Sequence, residues 1–145
     1  MSPAMSRSER EVFLSEVHVG VLSVSESGGG PLCVPVWYSY SSGGPLSVIT
    51  GIHSRKARLI DEAGRFSLCA QSEVAPYRYV SVEGPVTSRE RPVDPNERRA
   101  MAHRYLGQEF GDLYFEATET EAEDSTVYRM SPKRWMSADF SGAFT

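Results

Sequence analysis

The stretch from Leu46 to Ile60 changes its period halfway along, and it restricts the fold more tightly than any other part of the chain. Leu46-Ser47-Val48-Ile49-Thr50 reads as a strand, Gly51 breaks it, and Ser54 is of the residue type that caps a helix. Ala57, Leu59 and Ile60 then recur at helical spacing, and Gly64 supplies the stop. The chain must therefore deliver a strand almost directly into a helix start. Arg55 and Lys56 fall in the first turn of that helix. A helix start carries about +0.5 charge and unpaired N–H groups, so cations there are unfavourable by roughly 0.3–1 kcal/mol each. A bound anion reverses the sign. A phosphate held by the first-turn amides, the Ser54 hydroxyl and the two side chains satisfies the pattern. A solvated helix start with two exposed basic residues satisfies it too.

Any such anion site is local, because 15 basic residues against 19 acidic ones leave a net charge of −4. That balance excludes a generally basic surface for nucleic acid or anionic membrane. A length of 145 residues fits one domain, residues 1–145, with a core large enough to need no covalent staples. Cys33 and Cys69 lie in apolar runs without Cys-x-x-Cys or Cys/His spacing, so buried free thiols in a reducing cytoplasm are expected, not a disulfide or a metal site. No apolar run is long enough to span a bilayer, and no signal-peptide pattern opens the chain, so a cytoplasmic protein without a membrane partner is expected.

Residues 1–6 read as a flexible lead. Ser8-Glu9-Arg10-Glu11 has the form of a capping box and predicts a helix over 8–16. Residues 17–24 alternate into a strand that is apolar on both faces, and Glu26 to Pro31 is a hairpin turn. The glycine run in that turn lacks the Gly-Lys-Ser/Thr ending or following helix that a phosphate loop requires. A second strand spans 32–40, with Pro35 at an edge, at a bulge or against a ligand, and with Trp37 and Tyr38 on opposite faces. With residues 46–50 it completes a three-strand meander. Strands follow at 66–71 and 77–87, the latter placing Tyr77, Tyr79, Ser81 and Glu83 on one face and Arg78, Val80 and Val82 on the other. The tyrosine-rich face is either simply exposed or a surface for a partner or ligand. Asp94 and Pro95 start a helix that Gly107 closes, and Phe110, Leu113, Tyr114 and Ala117 mark a second helix over 108–117. Glu119 to Asp124 reads as a solvated loop, and a last strand at 126–130 continues through Pro132 into Arg134-Trp135-Met136. Six strands with short connections and three or four helices make an α+β barrel, not a doubly wound sheet.

Pro35-Val36-Trp37-Tyr38, the Thr50 to Lys56 segment, and Pro76-Tyr77-Arg78-Tyr79-Val80 followed by Glu83-Gly84 together resemble the pyridoxamine 5′-phosphate oxidase-like superfamily. The likeness spans nearly the whole chain. It implies a split β-barrel of about six mainly antiparallel strands with three or four helices, binding FMN or the deazaflavin coenzyme F-420. By the same resemblance Thr50, Ser54, Arg55 and Lys56 grip the cofactor phosphate, and Pro35 to Tyr38 lie along the ring. There the N–H groups of Val36, Trp37 and Tyr38 would hydrogen-bond the ring, with Trp37 or Ile49 packed on it and Arg78 and Tyr79 as further contacts. It implies a homodimer with cofactor at the subunit interface, and an oxidoreductase that moves hydride to or from a small molecule with no catalytic side chain and no metal. The tail from Arg134 to Phe140 does not carry the substrate signature of the vitamin-B6 oxidases, so the likeness is to the broader FMN and F-420 branch. Two other readings stay open: a carrier that binds cofactor without turnover, and haem binding with His18 or His53 as axial ligand.

Overall fold

The computed structural model describes residues 2–144 and carries eight strands among them, each paired antiparallel. They are β1 (Gly20–Val24), β2 (Leu32–Val36), β3 (Ser39–Tyr40), β4 (Leu46–Gly51), β5 (Arg65–Gln71), β6 (Arg78–Glu90), β7 (Ser125–Met130) and β8 (Arg134–Asp139). The sheet runs β2-β1-β5-β6-β7-β4-β3, with β8 also on β6. Its two ends belong to one stretch of chain, because β2 runs into β3 after only Trp37 and Tyr38. The single strand expected over 32–40 is thus divided: its first part pairs with β1 and its second with β4. That bend converts the expected meander into the closure of a split barrel. β6 is the shared wall. Its first part pairs with β5 and β8, and its last part, beyond an irregularity between Val86 and Ser88, pairs with β7.

The run from β7 to β8, expected as one last strand continuing through Pro132, pairs with β6 on both sides of a kink at residues 131–133 and so forms two strands. There the amides of Ser131 and Lys133 donate to the carbonyls of Pro85 and Glu83, drawing the crossing chain onto Gly84. A Cβ at residue 84 would overlap the Ser131 carbonyl oxygen.

Leu22, Leu68, Val80, Val82, Leu46 and Val48 point inward from the two halves of the sheet, and helix α1 (Arg7–Ser15) plugs the barrel with Phe13 and Leu14. The α1 capping box uses Ser6 and Glu9, two residues before the expected Ser8 and Glu11. Met5 lies just outside that cap and packs on the core, which favours the earlier start. The leading residues expected to be flexible are tied to β8: the Asp139 amide donates to the Pro3 carbonyl, and the Met5 amide donates to Ser137 Oγ. Cys33 is exposed and Cys69 half-buried, both free, which corrects the expectation of buried thiols. The phase that sends Leu22 and Leu68 inward puts Val21, Cys33 and Cys69 on the outer face. No helix among the described residues is long and apolar enough to cross a membrane.

Helix α2 (Arg55–Ala63) buries Ala57, Leu59 and Ile60 and ends at Gly64 with φ 69°. Helix α3 (Pro95–Ala117) starts at Asp94 and breaks at Gly107, where φ is 81°, so it is two arms. The arms fold together: Asp112 on the second accepts from Arg99 and His103 on the first, and Gly111 packs on His103. The acidic segment Glu119–Asp124 is a 3-10 turn instead of an open loop.

Buried Tyr128 fixes α2 on the barrel. Its hydroxyl accepts from Arg91 and donates to Asp61 of α2, each at 2.9 Å. Partial burial alone raises the Asp61 carboxyl, but hydrogen bonds from Arg91, Tyr128 and Arg89 outweigh it and hold the group below its ordinary value. A lowered folded-state value contributes stability that is present above the unfolded carboxylate pKa of about 3.9 and lost as pH falls through the lowered value. Tyr128→Phe should therefore cost about 1–2 kcal/mol at neutral pH, and the gap from wild type should narrow below about pH 4, as read by urea unfolding at several pH values. Gly84→Ala, which forces the crossing chain off β6, should cost about 3 kcal/mol or more in the same assay.

Candidate functional site

Ser54 caps α2 in a way that leaves part of the helix start open. Its Oγ accepts from the Ala57 amide at 3.1 Å, donates to the Gly51 carbonyl at 2.8 Å and lies 3.2 Å from Thr50 Oγ1. The Arg55 and Lys56 amides are left without an intrahelical acceptor, as in any first turn. Ser54 and Lys56 at this helix start border a groove of about 550 Å³ between β4 and the two arms of α3. Trp37, Ile49 and Thr50 line it from the barrel, Ser54 and Lys56 from α2, and Met101 and Phe115 from the arms. Arg98 also reaches it from the first arm, while Glu121 and Asp124 sit at the 3-10 turn. The groove thus joins apolar and aromatic walls to a helix start bearing amides, hydroxyls and an ammonium group, a combination that suits a flat ring carrying an anionic tail.

Trp37 is held by α3. Its ring stacks on Tyr105 with centroids 5.0 Å apart and planes within 6°, and Tyr114 lies 5.2 Å away on the second arm. The Tyr105 hydroxyl accepts from the Tyr38 amide at 3.0 Å and donates to the His18 carbonyl at 2.6 Å.

Of the residues singled out in the sequence, Trp37, Ile49, Thr50, Ser54 and Lys56 come together in this groove. The others do not. Arg55 turns away and makes a two-bond ion pair with Glu26 of the β1–β2 turn, its Nε lying 3.2 Å from Oε2. Val36 and Tyr38 are core residues, with the Tyr38 hydroxyl donating to the Leu14 carbonyl, and burial pushes that phenol well up. The Tyr38 amide, expected to face a ring, is already taken by Tyr105. Pro35 lies on the outer face of edge strand β2, opposite Val21. Arg78 covers the Phe13 ring at 4.9 Å beside Asp139, in a separate small hollow, and Tyr79 pairs with Gln71 and Ala138 on the outer side of β6.

His18 is packed on Phe13 with ring centroids 4.3 Å apart, and its Nε2 meets the Phe13 carbonyl at 3.1 Å, so this imidazole is committed to the core. His53 is exposed at the groove, 3.9 Å from Asp124. Arg98, Met101, Tyr114 and Phe115 escaped the sequence reading. The break at Gly107 was legible, but nothing local told that the two arms would fold together over β4.

The family model described as pyridoxamine 5′-phosphate oxidase matches residues 7–138. No curated protein matches the chain. Among solved structures, a conserved hypothetical protein from Mycobacterium tuberculosis is 21% identical, with 97% of this chain and 89% of that one covered and a TM-score of 0.74. An F-420 reductase is 19% identical over 87% of this chain and 94% of its own, with a TM-score of 0.64. An FAD-binding protein from Mesorhizobium loti is 18% identical over 94% of this chain and 95% of its own, with a TM-score of 0.63. These likenesses show a shared fold, and the family match runs from α1 to β8, so the chain belongs to the pyridoxamine 5′-phosphate oxidase family.

Proposed function

We propose that the groove holds a flavin-type cofactor, FMN or the deazaflavin F-420, with its phosphate at the start of α2. The observation that carries this reading is the pairing of a half-buried Lys56, free of any carboxylate partner among the described residues, with open helix-start amides beside an aromatic groove. The residues present fit the group. Thr50 Oγ1 and the first-turn amides would donate to phosphate oxygens, and Ser54 holds that turn through its bonds to Ala57 and Gly51 and lies 3.2 Å from Thr50 Oγ1. Lys56 would offset the phosphate charge, and Trp37, Ile49 and Met101 present surfaces to a flat ring. When bound, the cofactor supplies hydride transfer to or from a small molecule. The chain's part is to orient the ring and keep water from it: Trp37 cannot swing away while Tyr105 holds it, and the arms of α3 form the outer wall.

The working form in this proposal is a homodimer in the cytoplasm. Val17, Val19, Val21, Tyr77 and Met136 are exposed beside the outer face of β1, β6 and β8, and a second copy seated there would cover them. Arg78 and Tyr79, remote from the groove of their own chain, then serve the partner's groove.

The test is a titration of the protein with FMN and with F-420, followed by ring fluorescence. Binding of one of them in the micromolar range or tighter is expected, and Lys56→Glu should weaken it by at least about tenfold. Uptake of neither cofactor, or uptake unaltered by Lys56→Glu, sinks the assignment. Reoxidation of bound, reduced cofactor by enones, quinones or nitro compounds faster than in free solution marks an enzyme, and no acceleration across the panel marks a carrier. A Soret band on adding haem, lost in His53→Ala, would replace the flavin reading with a haem site.

A further inference from the structure

Within the flavin-type reading, on which this inference rests, the charge around the groove is distributed differently from the order of residues in α2. A phosphate monoester carries about −1.5 to −2 charge at pH 7 and is best met by two cations. Arg55 and Lys56 are adjacent in sequence, yet only Lys56 faces the groove. Arg55 gives its guanidinium to Glu26, and Arg58 shares the same carboxylate at 3.6 Å while also meeting Glu62 at 3.4 Å. Moving Arg55 to a ligand would break a two-bond pair and leave a half-buried carboxylate facing Arg58 alone.

Arg98 has the opposite standing. It lines the groove from the first arm of α3 and forms no ion pair with a carboxylate among the described residues. Its contacts are a long hydrogen bond to the Phe115 carbonyl at 3.5 Å and the Phe115 ring, 4.5 Å from the guanidinium carbon. Its neighbour Arg99 shares that ring but is engaged by Asp112, and Arg129, on the adjoining sheet face, is engaged by Glu97 and Glu90. Most of the five N–H donors of Arg98 are therefore available, with the guanidinium carbon 4.5 Å from the centre of the Phe115 ring. Glu121 and Asp124, the carboxylates of the groove, are exposed on the 3-10 turn.

We infer that Arg98, together with Lys56, binds the phosphate group of the ligand, and that Arg55 is withheld from it by Glu26. The second cation of the anion site thus comes from α3, whose arms also wall the ring.

Wild type, Arg98→Gln, Arg98→Lys and Arg55→Gln are titrated with FMN or F-420, whichever wild type takes up, and with the matching phosphate-free ring compound. Arg98→Gln should weaken the phosphorylated ligand about tenfold and the phosphate-free one by less than about twofold. Arg98→Lys should recover part of the loss, and Arg55→Gln should stay within about threefold of wild type. A loss in Arg55→Gln equal to or above that in Arg98→Gln overturns the inference. So does an Arg98→Gln loss of the same size for both compounds, which would mean only a damaged groove. A wild type that takes up neither cofactor overturns the flavin reading itself, and this inference with it.

Discussion

One hydroxyl group sits where the main parts of this fold meet. Tyr105, on the first arm of α3, accepts a hydrogen bond from the Tyr38 amide and gives one to the His18 carbonyl. It thereby bridges the lead into β1 and the bend between β2 and β3, the point at which the barrel closes. Tyr38 then points inward to the Leu14 carbonyl, and Trp37 points outward to stack on the same Tyr105. Without an acceptor, the Tyr38 amide would be an unpaired donor at a bend that has no strand partner there. Closure of the barrel and the stiff aromatic wall of the groove depend on the same contact.

The second constraint is electrostatic, and it decides which charges of the helix start can act on a ligand. α2 is rich in cations, but Glu26, reaching over from the β1–β2 turn, satisfies Arg55 and touches Arg58. Asp61, on the same helix, is drawn the other way by Arg89, Arg91 and the Tyr128 hydroxyl. The helix is thus pinned to the barrel by charged groups on either side of its buried face. What is left over at its start is Lys56 and the open amides, the groups on which the proposed anion site rests.

Much of the local structure was legible before any tertiary contact was known. The N-cap at Ser54, the stop at Gly64, the start at Asp94-Pro95 and the break at Gly107 all depend on backbone geometry within a few residues. The split barrel itself followed from the resemblance carried by Pro35 to Tyr38, Thr50 to Lys56 and Pro76 to Gly84. Errors arose where two local solutions were equally good. Ser6 and Ser8 both head a capping-box pattern, and only the packing of Met5 selects the first. The run through Pro132 became two strands because it had to cross Gly84, a close approach that no spacing in either segment announces.

The sequence by itself determined where most strands and helices lie, though not that two of the strand runs are each divided, and the presence of a capped helix start with cations in its first turn. Those features are settled by interactions between near neighbours, which the order of residues displays directly. Tertiary structure alone decided which cations remain free. Glu26 lies 29 residues before Arg55, and Arg98 reaches the groove from a helix on the far side of two intervening strands. An ion pair forms wherever the fold brings opposite charges together, regardless of their separation along the chain, so of the adjacent Arg55 and Lys56 one is paired with Glu26 and the other faces the groove.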